Sequence, residues 1–399
     1  MNKIIVSLVS EQTIPNIIFI KSNPDVAKLV FISTEKMESN KKTEWIQKSV
    51  KIGKDNCKIK IEIIMVHEDN IFAIKEELIN KFICEKEDNI LVNLTCGNKI
   101  MSLATYEFFK EKSLSNQNQN NIQMYYLNAG NNIFHTVFPA TQKNNSQYDL
   151  QGSCCNIKEY LTAYSIEQDK QNTPMRQFEQ TRKFYKEIFE LEKGAIKNLY
   201  ALRNEMEQSK EWKKLKSDSP FEELYIKSFA DSNDKMASIC NLFEKTFGDK
   251  QFTKNRIKYL TGEWFEEYVY LLIKRGLKLS KDNIYLGVEI ENKSISDRKI
   301  KNEIDVIFIN KNKLFVIECK TGLTTKNGNS IFSDVMYKQL ALRKYFGLTA
   351  KSYLFVPEAI KSDKNRTDRA EVFSIDIVDN KEMLLDKDKF KKEFLDRLS

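Results

Sequence analysis

Apolar runs alternate with amphipathic stretches over roughly the first third of the chain. Residues 4–9, 29–32, 59–66, 90–94 and 124–127 are short apolar runs of strand length, and residues 45–50, 69–82 and 99–110 between them show helical spacing. This alternation predicts a parallel sheet with helices on both faces. The Asn/Gln-rich residues 115–123 predict a solvated loop before the fifth strand, and residues 133–138 an added edge strand.

From about residue 148 to residue 259 the pattern changes, with no convincing strand beyond a short piece near Ile157. Thr173-Pro174 opens a helical pattern that runs to Met206, with Phe178, Tyr185, Ile188, Phe189, Ile196 and Leu199 at helical spacing. Pro220 breaks it, and residues 221–247 resume it. Lys and Glu are interspersed, so the charge reads as a solvated face and the apolar stripe as packing between domains.

In the C-terminal third, apolar residues 304–309 and 314–317 flank the polar break Asn310-Lys311-Asn312, the composition of a β-hairpin. Both faces are apolar, so the pair is expected to be buried. Asp305, Glu318 and Lys320 interrupt it. If Lys311-Asn312 is a two-residue turn, Asp305 lies opposite Glu318, and Glu318 and Lys320 share one face. Two carboxylates so placed repel unless a cation lies between them, and hard oxygen ligands suit Mg²⁺ or Mn²⁺. A lysine beside that ion can orient a water and stabilise developing negative charge. The alternative is a ladder of cross-strand ion pairs on a solvated face, which the apolar surroundings disfavour.

A helix opening at Gly262 and continuing to Lys274 precedes the hairpin. With Phe265 as reference, Val269, Leu272 and Ile273 cluster within about 80° at ~100° per residue. Glu266 borders that stripe, whereas Glu263 and Glu267 point farther from it. Glu266 is thus the acid best placed to reach the site, unless these acids only complement the helix macrodipole. Residues 337–340 begin another helix ending near Phe346-Gly347. There Lys338 or Gln339 could contact phosphate or water, or simply face solvent. Residues 351–356 supply a strand, completing a helix–hairpin–helix–strand order.

In a parallel sheet of order 3-2-1-4-5, ligands bind at the carboxyl ends of strands one and four. The loops there carry Ser10, Gln12, Thr13 and Asn16, and Asn93, Thr95, Cys96, Gly97, Asn98 and Lys99. The second loop can cradle a phosphate at a helix start. Alternatively, Thr95 and Asn98 merely cap that helix while Gly97 eases the turn. Neither a Walker loop nor GxGxxG is present.

The 399 residues are enough for two or three domains, and 25 Phe with 41% hydrophobic residues support real cores. A net charge of +8 permits a polyanionic partner without specifying one. No apolar run is long enough for a membrane span, and the N-terminus lacks a signal-peptide pattern. The seven cysteines include no CxxC pair, which fits a reducing, cytoplasmic setting and argues against a zinc site. The two histidines are His67 and His135, so histidine-based catalysis is excluded from the C-terminal two-thirds.

Asp305, twelve intervening residues, then Glu318-Cys319-Lys320 resembles the core of PD-(D/E)xK nucleases. The loop Asn93-Leu94-Thr95-Cys96-Gly97-Asn98-Lys99 resembles the second ligand loop of CARF domains, N-x-T-G-G-T-K, departing from it at Cys96 and Asn98. Residues 9–16 resemble the first. Together the two ends resemble the CARF-domain nuclease effectors of prokaryotic type III CRISPR systems.

The resemblance implies an α/β chain in three parts: a Rossmann-like CARF sensor over 1–147, a helical connector over 148–255, and a restriction-endonuclease-like PD-(D/E)xK domain over 256–399. It implies a homodimer binding a cyclic oligoadenylate, with cyclic tetra-adenylate favoured, through the two N-terminal loops. It also implies cleavage of DNA or RNA in antiviral defence. Asp305, Glu318 and Glu266 would hold Mg²⁺ or Mn²⁺, and Lys320 would assist the attacking water. The rival readings are a messenger-independent restriction-type or repair nuclease and a non-catalytic messenger-binding regulator. A sensor fused to a histidine-dependent ribonuclease is disfavoured by the missing C-terminal histidines.

Overall fold

The computed structural model describes residues 2–51, 59–85, 87–115, 121–128, 133–139, 154–191, 193–208, 210–214, 233–293, 301–323, 331–357, 360, 362–379 and 381–398. The N-terminal domain runs β1 (Lys3–Leu8), α1 (Ile14–Lys21), β2 (Lys28–Ser33), α2 (Glu35–Ser39), α3 (Lys42–Lys51), β3 (Lys60–Met65), α4 (Ile71–Lys81), β4 (Asn89–Asn93), α5 (Lys99–Leu114), β5 (Asn121–Asn128) and β6 (Ile133–Phe138). Its sheet has the order β3-β2-β1-β4-β5-β6, parallel except for the antiparallel edge strand β6. This is the expected order. Residues 121–123 of the expected loop belong to β5, and residues 116–120 lie outside the described residues.

The middle of the chain contains α6 (Ile157–Ala163), β7 (Ile166–Asn172), α7 (Phe178–Leu191), α8 (Lys193–Glu207), α9 (Lys210–Lys214) and α10 (Asn233–Phe247). The piece expected to be a strand near Ile157 is helix α6. A capping box closes its N-terminus: Asn156 accepts from the Glu159 N–H, and Glu159 accepts from the Asn156 N–H. A strand does occur nearby, in the polar β7, which pairs antiparallel with β8 of the next domain. The expected resumption of helix over 221–247 is seen from Asn233 onward, and Pro220 with residues 221–232 lies outside the described residues.

The C-terminal part contains α11 (Lys254–Lys258), a π-helical turn (Tyr259–Glu263), α12 (Trp264–Gly276), β8 (Ile284–Asn292), β9 (Lys301–Asn310), β10 (Lys313–Cys319), α13 (Phe332–Arg343), β11 (Lys351–Phe355), α14 (Lys364–Val372), β12 (Ile375–Val378), α15 (Lys381–Leu385) and α16 (Lys387–Glu393). The helix expected to open at Gly262 starts at Lys254 and passes through the π turn. The second sheet has the order β12-β11-β10-β9-β8-β7, antiparallel from β7 to β10 and parallel from β10 to β12.

Four apolar clusters hold these parts together, one of them packing Phe332, Val335 and Met336 of α13 against Leu354 and Ile377 of the second sheet. On one face of the first sheet, Val6, Val30 and Val92 pack with Phe109 and Met101. Its other face shares a single core with α1, α3, α6 and one face of the second sheet, including Ile307, Ile309, Leu314 and Val316. On the far face of the second sheet, Phe308, Phe315 and Ile317 pack with α12 and the connector helices. No helix among the described residues is long and apolar enough to cross a membrane.

Candidate active site and ligand loops

Strands β9 and β10 are joined by the expected two-residue turn. Lys311 and Asn312 both have positive φ, 49° and 61°, as a type I′ hairpin turn requires. Asn310 pairs with Lys313 and Val306 with Ile317, so continuing the register brings Asp305 opposite Glu318. The ladder ends there because the Asp305 carboxylate takes over: its Oδ2 accepts the Cys319 N–H at 2.7 Å.

Both acids are closed off from solvent, with side chains 9% and 3% exposed for Asp305 and Glu318. The Lys320 ammonium lies 2.7 Å from Glu318 Oε1 and 3.7 Å from Asp305 Oδ2, a positive charge between two carboxylates. Helix α13 covers the same side. Lys338 Nζ donates to both Glu318 oxygens at 3.0 and 2.8 Å, and Gln339 Nε2 to Oε2 at 3.2 Å. Gln339 is fully buried, and its Oε1 has no hydrogen-bond partner. Both side chains contact Glu318, with Gln339 buried and Lys338 partly open to solvent.

The two acids respond oppositely to this setting. Burial and the Glu318 charge push the Asp305 carboxyl up to about 6, against the opposing pull of Lys320, Lys338 and the Cys319 N–H. Burial also disfavours the Glu318 carboxylate, but Lys320 and Lys338 outweigh it and hold its value below the ordinary one. Lys320 is held cationic by the Asp305 and Glu318 charges despite its own burial.

Glu266 stands apart from this group. Burial, the Asp305 charge and then the Glu263 charge raise its pKa strongly, so it lies within electrostatic range of the pair. It makes no hydrogen bond or ion pair to Asp305 or Glu318 among the described residues. No group of three metal-ligating His, Cys, Asp or Glu side chains is present among the described residues.

Glu267 departs from the sequence reading more sharply. It is 2% exposed, and it accepts from the Met175 N–H and the Tyr259 hydroxyl. A one-sided helical wheel missed it because the connector covers a second side of α12.

The two N-terminal loops meet at the switch point between β1 and β4. Asn93 Nδ2 donates to Ser7 Oγ at 3.1 Å, and its Oδ1 accepts from both the N–H and hydroxyl of Thr95. Cys96 Sγ lies 3.1 Å from Gln12 O and 2.9 Å from Asn16 Oδ1, tying the second loop to the first. Burial pushes the Cys96 thiol up to about 12, so it stays a neutral donor. Asn16 donates to Ser7 Oγ and Leu8 O, and Thr13 donates to Ala163 O at 2.9 Å.

Thr13, Asn16, Asn93 and Cys96 are therefore buried and bonded within the protein. Ser10, Gln12, Thr95 and Gly97 are half-buried, and Asn98 and Lys99 are exposed. Asn98 caps α5 by accepting the Met101 N–H at 2.8 Å. Gly97 has φ +80°, the left-handed conformation that favours glycine.

Gln12 faces the other domain. Its Oε1 accepts from the Tyr164 hydroxyl at 3.2 Å and from the Leu348 N–H at 3.0 Å.

Known proteins carry the same two parts. Residues 4–160 match the family described as Card1 CARF domain, and residues 253–396 match the Card1-like endonuclease domain. No match is found among curated proteins. Among solved structures, Can2 from Sulfobacillus thermosulfidooxidans in complex with cyclic tetra-adenylate is 21% identical with a TM-score of 0.66, covering 97% of this chain and 98% of that one. Protein VC1899 from Vibrio cholerae is 18% identical with a TM-score of 0.72, covering 99% and 98%. With its sensor part matched over residues 4–160 and its nuclease part over residues 253–396, this protein belongs to the Card1-type family of CARF-domain endonucleases.

Proposed function

We propose that the chain is a metal-dependent nuclease of type III CRISPR defence, switched on by a cyclic oligoadenylate held in the CARF loops. The observation that carries the nuclease reading is the buried Asp305–Glu318 pair with the Lys320 ammonium between its carboxylates. A site that draws a lysine into that position has the charge a divalent cation would neutralise, and the unpartnered Gln339 Oε1 adds an oxygen beside it. Two carboxylates completed by water and substrate oxygens suit Mg²⁺ or Mn²⁺. Asp305 and Glu318 would hold the ion, with Glu266 contributing charge from the neighbouring helix. The bound ion would supply Lewis acidity and lower the pKa of a bound water.

Lys320 would orient the attacking water and stabilise charge building on the phosphate. Lys338 and Gln339 would fix the Glu318 carboxylate in one orientation. In the sensor, Ser10, Gln12, Thr95, Gly97, Asn98 and Lys99 would meet the ligand, on a scaffold made by Thr13, Asn16, Asn93 and Cys96. The Can2 complex favours cyclic tetra-adenylate as the ring. A symmetric ring suits two copies of these loops across the two-fold axis of a homodimer.

The test is cleavage of labelled single- and double-stranded DNA and RNA in Mn²⁺, with and without cyclic tetra-adenylate, by wild type and Glu318→Ala. Messenger-dependent cutting lost in the variant supports both halves of the reading. Cutting without messenger would remove the switch. Messenger binding without cutting would make the protein a regulator.

A further inference from the structure

Neither family match covers residues 161–252, the stretch that contains α8. Yet α8 closes one side of the candidate nuclease site. The Tyr200 hydroxyl donates to the Thr261 carbonyl and pairs with the hydroxyl of Thr321, the residue after Lys320. Almost one turn further, Arg203 Nη1 donates to Thr261 Oγ1, while its Nε donates to Glu207 at 2.7 Å. The charges of both Arg203 and Lys320 act on the Tyr200 hydroxyl, so the helix and the strand end share one electrostatic environment.

Exposure separates the two strand acids from the cations, while Glu207, paired with Arg203, is itself open to solvent. Glu318 and Asp305 are nearly closed off, while Arg203, Lys320 and Lys338 keep 27%, 29% and 35% of their side chains open. A buried acidic floor beneath a basic rim is suited to a phosphodiester approaching from solvent. Of the five N–H donors in a guanidinium, the two bonds just named leave three for a phosphate.

The geometry points to Arg203, fixed on α8 beside Tyr200, as a positioning residue that binds a backbone phosphate of the nucleic-acid substrate next to the scissile bond. The connector is then one wall of the cutting site. This inference rests on the nuclease reading, and its test reads binding apart from cleavage.

In the full-length Glu318→Gln background with cyclic tetra-adenylate, binding of a fluorescein-labelled oligonucleotide is followed by anisotropy across a salt series. Arg203→Gln keeps a donor for Thr261 and removes the charge. It is expected to weaken binding about tenfold and to flatten the salt dependence by about one unit. Arg203→Lys should keep the slope and recover part of the affinity. With Glu318 intact, Arg203→Gln should raise KM more than it lowers kcat.

Unchanged affinity and slope in Arg203→Gln would overturn the inference. So would equal losses in the Gln and Lys variants with an unchanged slope and a lower Tm, which marks a purely structural clamp. If the wild type cuts nothing, the nuclease reading fails, while the anisotropy series still decides whether Arg203 holds a phosphate.

Discussion

The side-chain carbonyl of Gln12 and the backbone N–H of Leu348 lie 3.0 Å apart across 336 residues of sequence. One belongs to the first ligand loop. The other follows α13, the helix whose Lys338 and Gln339 hold Glu318. Tyr160 reinforces the junction, its hydroxyl donating to Phe346 O at 2.9 Å. A displacement of the first loop therefore bears on the helix that orients the candidate catalytic carboxylate, through packed and hydrogen-bonded groups throughout.

Gly347 is the position at which to break this link. Its φ is +79°, and a Cβ there would stand 2.1 Å from the Tyr164 hydroxyl and 2.9 Å from Gln12 Oε1. Gly347→Ala is expected to lower stability by about 1–3 kcal/mol and to cut the ratio of cleavage rates with and without messenger by about fivefold or more. Calorimetric titration should show messenger still bound. An unchanged activation ratio in the folded variant would contradict this coupling.

Replacing Glu318 should separate activity from folding. Glu318→Gln leaves Lys320 and Lys338 facing a neutral amide, so cleavage is abolished and the Tm falls. Since a folded-state value below the ordinary one favours the charged form, Glu318 contributes stability at neutral pH that is lost as the pH falls through that lowered value. The Tm difference between wild type and variant should therefore shrink in acid, which a pH series of thermal melts would measure.

Asp305 behaves with the opposite sign. Its folded value of about 6 lies above its ordinary one, so protonation favours the folded chain and the charged form is penalised above pH 6. Asp305→Asn keeps an acceptor for the Cys319 N–H and removes the charge. The metal-free variant should melt higher than wild type at pH 8, by up to about 3 kcal/mol in stability, and lose that advantage progressively as the pH falls from 6 through the ordinary value of 3.8. A lower Tm at pH 8 would show that the lost attraction to Lys320 outweighs desolvation.

The second loop can be divided into cap and cradle. Asn98→Ala removes an N-cap from α5 and should cost about 1 kcal/mol. Lys99→Ala removes an exposed charge, leaves the Tm unchanged and should weaken cyclic tetra-adenylate binding about tenfold, as expected for a charge-assisted contact. If Lys99→Ala binds the messenger as wild type does, the loop is a helix cap alone.

Where burial and periodicity coincided, the sequence was readable. The N-terminal strands and the β9–β10 register are examples, because each apolar run is long enough to specify its face. Helix α6, expected as a strand, does carry a helical signal: Ile157, Tyr160, Leu161 and Tyr164 have i, i+3, i+4, i+7 spacing behind an Asn-x-x-Glu cap. Strand β8 also had a signal, since Val288 and Ile290 alternate with Glu289 and Glu291. Strand β7, with the sequence IEQDKQN, had almost none because its sheet edge is held by backbone bonds. The contact of Lys338 and Gln339 with Glu318 was hidden for another reason. Neighbouring residues on a helix reach one carboxylate only when that helix crosses the end of the right strand, and the crossing is not written in the local pattern.

Residues 157–172 bind both halves of the molecule at once. Helix α6 is buried against the sensor, and from Ile166, three residues after its last residue Ala163, the chain is already a strand of the nuclease sheet. Sensor and cutter are consequently not interchangeable cassettes. A transplant made at residue 253 would leave β8 with a bare edge open to pairing with other chains, and one made before residue 157 would strip the sensor of its floor. New specificities in such an architecture are reached by changing the loops around a retained seam.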